Sequence, residues 1–259
     1  MATTFLLPLS VLAGLLVGIL ACLEIGWRIG KKHLASGNVS MQGVSAMDGA
    51  VFALLGLFIA FTFSAAVARF ETRRHVVVEE SNAIGTAWLR LDMLPPDIQL
   101  PVRDLFLRYT DTRIAVYQKL PDLNAAKHEL AKGADLQKEI WAQAVLAARS
   151  SPSPTVAMAV LPSLNQMFDI ATTRTMSAKM HTPVVVFILL FALSLVGSVF
   201  AGYNMASDKK RNWLHVLGFA LVLAISIFMI VDLEYPRIGI IQIDKAFDKT
   251  IIDLRASMK

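Results

Sequence analysis

DGAVFALLGLFIAFTFSAAVARFETRRHVVVEESNAIGTAWLRLDMLPP, residues 48–96, decides the fold. Its first part, from Gly49 to Ala68, carries no charge over 20 residues. At 1.5 Å per residue a helix of that length covers about 30 Å, the thickness of a bilayer's hydrocarbon core. Neither proline nor glycine interrupts the chain between Ala68 and Ile84, and charge returns at Arg69, Glu71, Arg73, Arg74, Glu79 and Glu80. The pattern predicts one continuous helix that leaves the membrane as a charged rod and joins a span to a soluble unit. Pro95-Pro96 ends it, because proline has no N–H for the ladder.

Within the span, small residues recur at Gly49, Ala53, Gly56, Ala60 and Ser64, three or four apart, and so fall in one helical stripe. In lipid, association is driven by close packing, and such a stripe lets two helix backbones approach. Two readings stand at this point. The stripe packs on another span of the same chain, or it joins copies of the chain around a pore.

The rest of the sequence agrees with a membrane protein. It is 55% hydrophobic, with mean hydropathy +0.56. Four apolar runs, about 5–27, 49–68, 184–206 and 213–231, are each long enough to cross a bilayer and hold no Lys or Arg inside. The net charge of +5 is scattered, with no basic block interleaved with aromatics, which argues against a nucleic-acid partner. Cys22 is the sole cysteine, so no intrachain disulfide or cysteine-based metal site exists. Ile19-Leu20-Ala21-Cys22 faintly resembles a lipid-attachment site, but no Lys or Arg precedes the run, and a retained span is expected.

The expected fold class is all-α: four transmembrane helices in two hairpins, with a helical extramembrane domain continuous with the second and third spans. The expected segments are 1–68 (spans one and two, with the short loop 28–47), 69–183 (the helical insert), 184–232 (spans three and four, with the loop 207–212) and 233–259 (an amphipathic segment). In the insert, Leu105, Tyr109, Val116 and Leu120 form one apolar face, interleaved with Arg103, Arg108 and Arg113. Leu130, Ile140, Trp141 and Val145 form a second. Ser150-Ser151-Pro152-Ser153-Pro154 is the clearest break, and Pro183 precedes the third span. An insert of this kind, without a large core of its own, is expected to lean on the spans or on neighbouring subunits.

Catalytic chemistry finds no support. There is no HExxH, P-loop, dinucleotide fingerprint or GxSxG, and the five histidines are dispersed. Glu71, His75 and Glu79 share a helical face, but alternating charge at that spacing is ordinary i,i+4 pairing. No catalytic residue, metal or cofactor is expected. Glu24, at the end of the first run, is placed to pair with Arg28. Arg69 and Arg73, one turn apart beyond the second span, are candidates for a pore mouth or for headgroup anchors.

Four spans put both termini and the insert on one side. The short loops hold Arg28, Lys31, Lys32, Lys209, Lys210 and Arg211, which favours cytoplasmic loops and an external insert. Against it, Arg69, Arg73, Arg74, Arg174, Lys179 and Arg237 flank the spans on the insert's side.

Residues 49–95, with LEYPRIGIIQ at 233–242, resemble a bacterial membrane family described as bestrophin-like. The resemblance covers most of the chain. It implies a multi-pass protein of the bacterial inner membrane. Through true bestrophins it further implies pentameric ion channels whose second span lines a pore with an apolar neck, and an insert and termini in the cytoplasm, opposite to the charge count. A neck needs apolar residues at i, i+4 and i+8. Leu55, Ile59 and Phe63 fit, as nearly do Leu54, Phe58 and Thr62. The acidic calcium cluster of animal bestrophins has no counterpart. The alternative function is a structural or regulatory membrane protein whose insert binds a partner or transmits a signal.

Overall fold

The structure, a computed structural model, describes residues 2–36, 42–151, 153–207, 211–236, 239–241 and 245–258. Lys209, Lys210, Arg237 and Pro152 lie outside the described residues, as does part of each short loop. The described residues form eight α-helices and no strand: α1 Ala2–Ala35, α2 Gln42–Arg90, α3 Pro96–Gln118, α4 Leu123–Ser150, α5 Leu161–Ser177, α6 Val184–Asn204, α7 Trp213–Glu234 and α8 Lys245–Ser257. One π turn, Val156–Val160, precedes α5. Among the described residues, four segments are long and apolar enough to span a membrane: Leu9–Ala35, Met47–Met93, Val184–Ser207 and Trp213–Glu234. The chain divides into two compact units, residues 1–70 with 181–242 and residues 71–180 with 243–259. The division falls inside α2, which passes Arg69 without a break over its 49 residues.

In the first unit α1, the N-terminal part of α2, α6 and α7 enclose Ile19, Leu23, Leu55, Leu190, Ala220, Ile227 and Ile230. The backbones of α1 and α6 approach each other closely. A Cβ on Gly26 would sit 1.9 Å from the Val199 carbonyl oxygen, and one on Gly202 would sit 2.1 Å from that of Leu23. Ser194 and Ser198 lie on the same side of α6, and their hydroxyls donate back to Leu190 O (2.6 Å) and Ser194 O (2.7 Å). Small side chains with self-satisfied hydroxyls let two helices touch where no water can serve the polar groups. At the loop end of this unit the Arg211 guanidinium lies 5.0 Å from the Trp27 ring centroid and 4.4 Å from that of Trp213, and it pairs with Glu24. Glu24 also accepts from Arg28 at 2.7 Å.

Among the described residues, the stripe on α2 takes no part in packing within the chain. Gly49, Ala53, Gly56, Ala60 and Ser64 are all exposed, and a Cβ on Gly49 or Gly56 would meet nothing within 4 Å. The expectation that it packs against another span of the same chain is corrected. That role falls to Gly26, Gly30 and Gly202, because the opposite, bulkier face of α2 covers the core.

The second unit contains the remainder of α2 with α3, α4, α5 and α8. Asp122 starts α4 by accepting from the Asn124 and Ala125 amides at 3.0 Å. Buried positions run Val102, Phe106, Tyr109, Arg113, Val116 on α3 and Ala126, Glu129, Gly133, Leu136, Ile140, Ala144, Ala147 on α4. This alternation of threes and fours keeps one seam facing a partner helix. Three expectations change here. Arg113 belongs to the buried face, Trp141 is 38% exposed, and the insert has its own core around Ile84, Leu91, Phe106, Leu136, Ile140, Leu164 and Met167. The last helix, α8, adds Ile251 and Met258 to that core.

Lys119 donates to Glu129 at 2.5 Å and holds its carboxyl below the ordinary carboxylate range. A depressed pKa stabilises the fold above the unfolded value near 4.5 and stops doing so as pH falls through the folded one. Because the Lys119 side chain is 43% exposed, Lys119→Met is expected to cost only about 0.5 kcal/mol near neutral pH. The difference should vanish as pH falls through the depressed folded pKa, in thermal unfolding followed by circular dichroism.

Candidate functional site

The first unit leaves one face of α2 open. Leu54, Leu57 and Phe61 are exposed there, Phe61 by 66%, next to the small-residue stripe. Of the pore-lining candidates only Phe63 is exposed, and Ile59 is half-buried. Leu55 is 4% exposed and packs beside Gly197 on α6. Thr62 is buried too, its hydroxyl donating to Phe58 O (2.8 Å) and Ile59 O (3.0 Å). Leu55 and Thr62 therefore face the unit's own interior, and their assignment to a lumen is corrected. The apolar ladder of the open face runs instead through Leu54, Leu57 and Phe61. An i,i+4 ladder can be drawn on several faces of an apolar helix, and packing selects among them.

At the end of the spans α7 finishes on two buried carboxylates. Glu234, 0% exposed, accepts from Arg69 Nε at 3.0 Å and from the Thr182 amide at 2.6 Å. Arg69 also donates to the Thr182 hydroxyl, and the His181 ring stacks on Tyr235 with centroids 4.8 Å apart. Asp232 accepts from the Ile240 amide at 2.7 Å and the Ile241 amide at 2.6 Å. A Cβ on Gly239 would fall 2.3 Å from Asp232 Oδ1, so a larger residue there would push on the carboxylate that holds the turn. These bonds give a physical reason for the sequence at 233–242: an acidic helix end that ties down the chain following it. Arg69 is thereby committed to Glu234 and Thr182, with 29% of its side chain still exposed.

The other arginine behaves differently. Arg73 is 5% exposed in the second unit, where it donates to Ser177 O (3.2 Å) and Met180 O (2.6 Å) just past α5. Neither a pore mouth nor a headgroup reaches a side chain so enclosed, and that assignment is corrected. The carbonyls that a helix C-terminus leaves unpaired explain its burial.

Further along α2, Glu80 is 0% exposed and accepts from Arg113 Nε at 2.5 Å and Arg174 Nη1 at 2.6 Å. Arg113 also donates to the Tyr117 hydroxyl and Ala171 O, each at 3.3 Å. Arg174 lies 3.6 Å over the Tyr117 ring and reaches Asp248 Oδ1 at 3.1 Å. Burial opposes the charge on Arg113, but the Glu80 carboxylate together with Tyr117 and Tyr109 outweighs it and raises the pKa further above the ordinary arginine value. Nearby, burial pushes the Tyr109 phenol up to about 12. Glu71 pairs with Arg74 at 2.7 Å and His75 with Glu79 at 3.2 Å, as surface contacts. Among the described residues, no three His, Cys, Asp or Glu side chains gather as a metal site.

Four apolar helical spans with a helical insert define a polytopic helical membrane protein. A family model described as the bestrophin-like domain matches residues 29–247, and the chain belongs to the bestrophin-like family. Among solved structures it is similar to two point variants of a bacterial bestrophin homologue from Klebsiella pneumoniae, each 12% identical. These give TM-scores of 0.70 and 0.69 and cover 96% and 95% of this chain and 98% of each homologue. Likeness at that identity concerns the fold. No curated protein matches the chain.

Proposed function

We propose that the chain is a non-enzymatic ion channel of the bacterial inner membrane, assembled as a homo-oligomer with α2 lining the pore. A pentamer is the number its family resemblance implies. The supporting observation is the open face of α2: small residues at Gly49, Ala53, Gly56, Ala60 and Ser64 beside the ladder of Leu54, Leu57 and Phe61, all exposed. The small stripe suits contact with a neighbouring copy, and the ladder suits a narrow apolar constriction that gates by dewetting.

Purified protein in planar lipid bilayers is expected to pass current, and Phe61→Ala is expected to raise it several-fold by widening the constriction. Thr62→Val, inside the unit, should leave the current near wild type. Gly56→Leu has room within the single chain and is expected to shift the particle in detergent from a ring toward smaller species. Intact rings that leave the bilayer silent would instead favour a structural or regulatory role for the insert.

A further inference from the structure

We propose that Arg174, with Arg113 and Tyr117, forms a binding site for a small inorganic anion, and that Asp248 of α8 fills it as a built-in competitor. The inference concerns the helical unit alone and does not depend on conduction along α2.

Charge balance is the starting point. Arg113 and Arg174 are both nearly fully enclosed, and Glu80 between them supplies one negative charge at 2.5 and 2.6 Å. One positive charge is left over, and burying it unbalanced is costly. Asp248 provides the missing negative charge, but less tightly. It sits 3.1 Å from Arg174 with 26% of its side chain exposed, whereas Glu80 has 0%. A void of about 20 Å³ lies beside the pair, lined by Arg113, Tyr117, Arg174, Asp248 and Ile251 among others. That is enough for one water-sized particle. The Tyr117 ring 3.6 Å from Arg174 backs the guanidinium, leaving its edge for an acceptor.

Other contacts also hold the helix that carries Asp248. Arg255 pairs with Asp111 at 2.8 and 2.9 Å, an exposed contact, and Ile251 and Met258 enter the core. An anion on Arg174 takes the place of the Asp248 carboxylate. Anion occupancy and docking of α8 therefore oppose each other, by reciprocal linkage.

The test is hydrogen exchange of the α8 amides in the full-length protein in detergent, in sodium chloride, sodium fluoride or sodium gluconate at matched ionic strength. Gluconate is too bulky for the void and reports screening alone. Exchange from 248 to 257 is expected to be about tenfold faster in chloride and fluoride than in gluconate. Asp111→Asn loosens α8 without touching the site, so it should speed exchange in all three salts and preserve their ratio. In Asp248→Asn, chloride binding read by chlorine NMR line broadening should strengthen about tenfold, because the competitor is gone. Equal exchange in the three salts, or no gain in chloride binding in Asp248→Asn, would overturn the proposal.

Discussion

Glu80→Ala is expected to destabilise the helical unit by about 3–5 kcal/mol, because removing one partner strands charge in the interior. The carboxylate has 0% exposure and two guanidinium partners at 2.5 and 2.6 Å, so no water can take its place without opening the core. Glu80→Gln should cost nearly as much, since the amide keeps the shape but not the charge. The companion experiment is the pair Glu80→Met with Arg113→Met. Arg174 then keeps Asp248 as its counter-charge, and the double variant should be more stable than either single one. Chemical unfolding of the purified protein measures all five variants. A double variant no better than the worse single one would show that the three side chains do not act as a charge-balanced set.

The second large effect is expected at the crossing of α1 and α6. Gly202→Val and Gly26→Val place a Cβ 2.1 and 1.9 Å from carbonyl oxygens of the facing helix, so the two helices must part. Overpacking of that kind costs about 3 kcal/mol or more when the obstacle is backbone and cannot rotate away. Gly14→Val and Gly218→Val face open space and serve as controls, with changes within about 1 kcal/mol. Unfolding in mixed micelles, followed by loss of far-UV signal, separates the two classes.

The spans and the continuity of α2 were legible in the sequence, because hydropathy and the lack of breakers between Ala68 and Ile84 are local properties. The faces were not. The stripe from Gly49 to Ser64 is regular enough to see, yet Gly26 and Gly202, from different helices, make the tight contact. Glu80 illustrates the same limit. Beside Glu79 it looks like part of a solvated charged face, while its partners Arg113 and Arg174 lie 33 and 94 residues away. Pairing over that distance leaves no i,i+4 trace. Leu55 and Thr62 were drawn into the wrong face because an apolar helix offers several equivalent ladders. Asp232 and Glu234 carried the best available signal, two acids at the end of an apolar run, where an uncompensated charge is costly and a partner such as Arg69 must be found.

The stacking of Arg211 between the indoles of Trp27 and Trp213 provides an optical landmark. Both fluorophores belong to the first unit, at the ends of apolar segments, so brominated acyl chains of graded depth quench them according to their distance from the bilayer midplane. With Trp88 and Trp141 replaced by phenylalanine, their emission thus works as a ruler for where the lipid boundary crosses the chain, with no added dye.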